Sequence, residues 1–234
     1  MPTPAAEFRT GFLHGLPFVL VIAPFGAVFG VAATEAGLNL AEVMGFSVLV
    51  IAGAAQFVAL QMMLEAAPVL IVLAASLAVN LRMAMYSASL APHLGAAPLW
   101  QRALVAYVLV DQTYAPATLR YDAQPGLSVP ARLAYFFGVA APVVPIWYLA
   151  TWAGAVLGTR IPPGLPIDFA VPITFLALIV PMLRTLPHVV AALVSIIGVL
   201  AFAALPFNLG LLLAAALAMA AGAETERQLA RRAS

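Results

Sequence analysis

Long apolar runs interrupted by isolated charges are the dominant pattern in this chain. No charged residue falls between Arg9 and Glu35, or between Glu42 and Glu65. Each run can form a helix that crosses a hydrocarbon core about 30 Å thick, which takes about 20 apolar residues. A third run after Glu65 must continue past Arg82 to near Leu90, because Ala66–Leu81 alone is short. A fourth starts after Arg102 and reaches Leu119 with Asp111 inside it, and a fifth lies between Arg132 and Arg160. A sixth segment, short and Pro-bounded, spans residues 169–183 between Asp168 and Arg184. Thr185 to Ala223 is uncharged. At about 1.5 Å per residue it is about twice as long as the membrane is thick. It therefore folds back, and Leu205-Pro206-Phe207-Asn208-Leu209-Gly210 is the natural turn. The pattern predicts an all-α, polytopic membrane bundle of about eight transmembrane segments, forming a single integral-membrane domain over residues 1–234. Glu7 and Arg9 precede an apolar stretch that runs to Thr34, too long for the core of a cleaved signal peptide, so it is expected to be the first span.

Composition sharpens this. The chain is 65% hydrophobic and 8% charged, whereas a soluble domain carries about 25% charged residues. All ten basic residues are arginine. Without lysine there is no P-loop and no Schiff-base chemistry. There is no cysteine, and His14, His93 and His188 lack metal-ligand spacing. No enzyme, cofactor or metal centre is expected, and a net charge of +1 gives no reason to expect nucleic-acid binding. With eight spans, placing both termini in the cytoplasm puts Arg9, Arg120, Arg132, Arg184, Arg227, Arg231 and Arg232 inside, and only Arg102 and Arg160 outside.

The polar residues inside spans carry the candidate chemistry. Pro17 and Pro24 each remove a helix hydrogen bond, so the first span is expected to break near Pro24. A broken helix would expose N–H groups suited to a carboxylate. The packing alternative is that Gly26 and Gly30 form a helix-contact motif. In the second span, Gly45, Ala52, Gln56, Ala59 and Met63 share a face, with Gln56 as interhelical partner or substrate contact. The third span presents Asn80 and Ser87 on one face and Arg82, Tyr86 and Ser89 on another. An intramembrane arginine marks function or an ion pair. Asp111 is the expected partner, because it and Arg82 stand at similar depth in the hairpin through Pro92. Tyr107, Tyr114 and Thr118 are placed on the Asp111 face by helical spacing. Arg82 suits a carboxylate and Asp111 a proton or an ammonium group.

At these residues the chain resembles AzlC, the large subunit of two-component branched-chain amino acid exporters. The matching stretches are Leu16-Pro17…Pro24-Phe25-Gly26…Phe29-Gly30, Ala52-Gly53-Ala54-Ala55-Gln56-Phe57, Asn80-Leu81-Arg82…Tyr86-Ser87-Ala88-Ser89-Leu90-Ala91-Pro92-His93-Leu94 and Asp111-Gln112-Thr113-Tyr114-Ala115, with a weaker match at Gly164–Phe169. Where the family often carries an acidic residue after its aspartate, this chain has Gln112. The resemblance implies secondary export of branched-chain amino acids across a bacterial inner membrane, and a small AzlD-type membrane partner. Transport of another small organic solute, or a scaffolding role beside a substrate-carrying partner, are the alternatives.

Overall fold

The computed structural model describes residues 2–158, 183, 185–205 and 209–233, with side chains as far as Arg231. Among these residues every element is a helix: α1 (Pro4–Glu35), α2 (Leu40–Leu49), α3 (Gly53–Leu64), α4 (Val69–Leu94), α5 (Leu99–Tyr107), α6 (Asp111–Ala123), α7 (Val129–Gly158), α8 (Leu186–Ala201) and α9 (Leu209–Ala233). Four helices, α1, α4, α7 and α9, are long and apolar enough to cross a membrane unaided. The sixth predicted segment, 169–183, lies outside the described residues except for Leu183, as does the centre of the predicted turn at 206–208. Large aliphatic side chains face outward, with Leu20, Leu49 and Leu70 each 80–82% exposed, as lipid-facing positions require. The chain is a multi-pass membrane protein.

The described contacts divide the chain into two compact units. The first comprises Met1–Leu60 and Ser76–Pro166. Its spine is the pair α1 and α7, which run parallel: Gly11 meets Tyr135 and Val139, Gly15 meets Pro142, Gly26 meets Trp147, and Gly30 meets Thr151 and Ala155. The fit is reciprocal. A methyl group added at Gly138 or Gly154 would land on the carbonyl of Phe8 or Ala27. Small residues let two helices approach closely enough for dispersion to hold them where no hydrophobic effect operates. The second unit, Gln61–Ala75 with Ile167–Ser234, contains the antiparallel pair α8 and α9, in which Gly198 packs on Ala214 and Gly222 on Ala191.

The helix breaks are not where the prolines suggested. α1 continues through Pro17 and Pro24. Its seam with α7 is unbroken on both sides of each proline, so packing holds the axis where a ladder hydrogen bond is lost. Gly26 and Gly30 therefore act as packing residues. The second and fourth spans break instead. Val50-Ile51-Ala52 separates α2 from α3, and Val108-Leu109-Val110 separates α5 from α6. Neither gap contains proline. Each contains two β-branched residues, Val50 and Ile51 in the first and Val108 and Val110 in the second, whose restricted side chains favour extended backbone. Val50 and Val110 are in fact extended. Thr113, fully buried, satisfies the second gap: Val110 N donates to its hydroxyl at 2.9 Å, and the hydroxyl in turn reaches Val108 O at 3.1 Å. At the first gap, Ala52 N donates back to Val50 O at 2.9 Å.

Candidate functional site

The second break places Asp111 at the first position of α6, where the exposed N–H groups and the positive end of the helix dipole favour a carboxylate. Arg82 and Tyr86, one turn apart on α4, meet it. Arg82 Nη1 donates to Asp111 Oδ2 at 2.6 Å, and the Tyr86 hydroxyl donates to Oδ1 at 2.6 Å. Tyr114 stacks flat on Tyr86, with centroids 4.0 Å apart, and its hydroxyl donates to Ser89 Oγ at 3.0 Å. Thus Arg82, Tyr86, Asp111 and Tyr114 form one cluster, with an ion pair at its centre and a double aromatic wall. Arg82 and Asp111 are 34% and 41% exposed, so the pair is not sealed. Arg82 Nε is buried without a hydrogen-bond partner, and so is Asn80 Oδ1, two residues earlier on α4 and on another face. A zwitterionic ligand fits these groups: its carboxylate suits the guanidinium and its ammonium suits Asp111.

Two expected placements change. Tyr107 does not share the Asp111 face, because the helix breaks between them. Its hydroxyl donates to Val48 O at 2.6 Å and lies 2.8 Å from the Tyr148 hydroxyl. Gly45 does not share a face with Gln56, since α2 and α3 are separate helices, and Gly45 has open space around it. Gln56 is brought not to Arg82 but to Ser47 and Thr151 at the first break. Neither Gln56 nor Asn80 makes a hydrogen bond to the Arg82–Asp111 pair.

One buried charge pair had no counterpart in the sequence reading. Glu7, 1% exposed, accepts from Arg120 Nε at 3.0 Å and from Nη2 at 2.5 Å, a bidentate contact tying α1 to the far end of α6. Beside it His14 Nδ1 lies 2.7 Å from the Tyr135 hydroxyl, and the Arg120 guanidinium sits over the Tyr135 ring. Glu7 and Arg120 are 113 residues apart and each reads as a span-flanking charge. The only signal was an acidic residue immediately before an apolar run. An open hollow of about 600 Å³ lined by Trp100, Gln101, Leu104, Pro130 and Phe137 is almost wholly apolar and contains none of the candidate residues.

Fold and site together define a multi-pass helical membrane protein with two interrupted helices and an ion pair at one of the interruptions. The AzlC protein family matches residues 17–161, more than half of the chain, and the chain belongs to that family. The Escherichia coli inner membrane protein YgaZ is 28% identical over 189 residues, covering 75% of each chain. An uncharacterized membrane protein of Helicobacter pylori is 26% identical over 153 residues, and its counterpart in a second strain is 25% identical over the same length. The chain spans 65% of the length of the Helicobacter proteins it matches. No solved structure matches it.

Proposed function

We propose that this protein is the large permease subunit of a secondary transporter that exports branched-chain amino acids across the bacterial inner membrane, and not an enzyme. The observation that carries the reading is the Arg82–Asp111 pair at the open end of half-helix α6, with Tyr86 hydrogen-bonded to the same carboxylate. Opposite charges at a helix interruption match both ends of an amino acid's backbone. The ligand exchanges one contact between Arg82 and Asp111 for two contacts to itself. The flat Tyr86–Tyr114 stack offers an apolar face to an aliphatic side chain. Family membership supports a transport role, and the resemblance to AzlC supports the substrate class and a small AzlD-type partner subunit.

Intramembrane charges are costly and are usually retained for a pathway or a relay. A pair that breaks when substrate arrives would supply both occupancy sensing and charge neutrality during the conformational change. Efflux of radiolabelled leucine, isoleucine and valine from preloaded cells tests the reading. The cells express this chain with and without a small partner subunit, and glutamate and arginine serve as control solutes. Aliphatic efflux above the background of empty cells, with no efflux of the controls, is the expected result. Background efflux for every aliphatic substrate, with the partner present, overturns it.

A further inference from the structure

The contacts between α4 and α6 climb both helices in the same direction. Arg82 meets Asp111, Tyr86 stacks on Tyr114, Ser89 accepts from Tyr114, and the His93 ring lies 5.3 Å from that of Tyr121. The two helices are therefore parallel. α5 follows α4 through a four-residue turn, 95–98, and runs antiparallel to it. An open hollow of about 170 Å³ separates the two, lined from Ser87 to Gly95 on one side and from Arg102 to Leu109 on the other. Had the chain continued across Val108-Leu109-Val110, α6 would oppose α4. It reverses there instead. Both ends of the α5–α6 segment consequently lie at one face. Trp100 and Gln101 border the same hollow as Pro130 at the start of α7, and Arg120 near the end of α6 reaches Glu7 at the start of α1. The nine residues of α5 reach about 14 Å, half of a core about 30 Å thick.

The first break repeats the design from the other face. α1 runs parallel to α7 and is joined to α2 by a four-residue turn, 36–39, at the end opposite Glu7. Advancing along α2 moves back along α7, from Ser47 beside Thr151 to Gly53 against Trp147. Gln56 then returns to Ser47, its Nε2 donating to Ser47 Oγ across 3.3 Å, and Phe57 packs on Phe29 as well as on Phe25. Residues nine apart along one helix axis would be separated by about 13 Å, so the chain doubles back at Val50-Ile51-Ala52. α1–α3 and α4–α6 are thus one motif, a long helix and then two short ones, in opposite orientations. Inverted repeats of this kind build midplane sites in many transporters. Non-helical backbone at that depth is tolerated where protein covers it, and Ile51, Ala52, Leu109 and Val110 are all buried. Doubling back also brings Arg102, which a crossing segment would carry to the outer face, to the end that holds Arg9, Arg120 and Arg132.

We propose that α2–α3 and α5–α6 are re-entrant hairpins entering from opposite faces, and that the contact between their tips is the closed barrier of the substrate's passage. The tips meet through one side chain. Tyr107, the last residue of α5, donates its hydroxyl to the Val48 carbonyl of α2 at 2.6 Å, which leaves the Tyr148 hydroxyl of α7 to donate to Tyr107 at 2.8 Å. Asp111 lies four residues beyond Tyr107, just past the turn of the same tip. On the Arg102 side the hollow between α4 and α5 leads to Leu109 at that turn. On the other side the tips stand in contact. A solute held by Arg82 and Asp111 leaves toward the outer face only when Tyr107 releases Val48. This barrier role rests on the transporter reading; the hairpin topology does not.

The chain contains no cysteine, so a single introduced one reports on its own position. Ala41→Cys in the first turn of α2, Ala96→Cys in the α4–α5 turn and Ser128→Cys in the α6–α7 turn all stand at exposed positions. A membrane-impermeant maleimide added to intact cells is expected to label Ala41→Cys. It should reach Ala96→Cys and Ser128→Cys only after the cells are permeabilised. Labelling of Ala96→Cys and Ser128→Cys from opposite faces overturns the hairpin, because a single crossing by α5 and α6 demands that result. A fourth reporter, Val110→Cys, sits buried at the tip. Its labelling from outside is expected to be slow, and to quicken roughly fivefold when Tyr107→Phe is added, the shift in an opening equilibrium that one ordinary hydrogen bond sustains. Tyr148→Phe, which leaves the Tyr107–Val48 bond in place, should change the rate less. An unchanged rate in Tyr107→Phe overturns the barrier. None of these measurements needs a substrate. Absent leucine efflux with the labelling pattern intact would therefore remove the transporter reading, and the barrier's role with it, and leave the hairpins standing.

Discussion

Asp111 has two positive neighbours, the Arg82 guanidinium and the N-terminal end of α6. Arg82 by contrast has one anionic partner among the described residues and a buried, unpartnered Nε. A pair that is about one-third exposed holds the fold less strongly than a sealed one, so removing either member is expected to cost on the order of 1 kcal/mol. Arg82→Ala and Asp111→Ala should thus reach the membrane at near wild-type levels by immunoblot while losing leucine efflux. Glu7 behaves differently. It is 1% exposed and held at both oxygens, so Glu7→Gln should destabilise the protein by roughly 3 kcal/mol, because Arg120 is left without its counter-charge. Thermal unfolding of the purified variant checks this, with melting unchanged from wild type as the contrary result. Arg82–Asp111 was legible in the sequence because similar depth in one hairpin is a local property. Glu7–Arg120 was not, because it depends on which distant helices become neighbours.

The half-helices were invisible to a reading based on composition. Val50-Ile51 and Val108-Leu109-Val110 look like any membrane-spanning stretch, and what separates them from helix is local hydrogen bonding through Thr113 and the Val48 carbonyl. The prolines of α1 drew attention as expected helix breakers, yet the parallel seam with α7 carries the helix past both. Pro24→Ala should consequently leave efflux and melting close to wild type. A severe transport defect in that variant would show that the proline has a role beyond being tolerated. Gly154→Ala should do the opposite, since the added methyl meets the Ala27 carbonyl and neither helix can move away alone. Overpacking of that kind costs about 1–3 kcal/mol, and thermal unfolding of the purified variant will register it. Of the seam's glycines, Gly26 and Gly30 were recognised as a contact motif from their spacing, but Gly11, Gly15, Gly138 and Gly154 were not, and neither was the partner helix.

Across the whole chain, α1 and α7 running parallel requires an odd number of crossings between them, and α4 alone supplies it when both interrupted pairs are re-entrant. The charge pattern counted those pairs as the second and fourth crossings; removing two crossings leaves both termini on one side. The arrangement also sets Glu7, Arg120 and Arg132 together at one end, where the arginine bias predicts the cytoplasm. A reporter fused after Ser234 is expected to be fluorescent as a cytoplasmic fusion and inactive as a periplasmic phosphatase; the reverse pattern would refute a cytoplasmic C-terminus.

The most direct measurement is leucine efflux from cells carrying the double variant Arg82→Leu with Asp111→Leu. Replacing both members of an ion pair by apolar side chains leaves no stranded charge and is often neutral for stability. The protein should therefore accumulate in the membrane at wild-type levels and melt normally. If substrate is handled by these two residues, efflux falls to the background of cells lacking the protein. Wild-type efflux from a stably inserted double variant would show that neither residue takes part in transport.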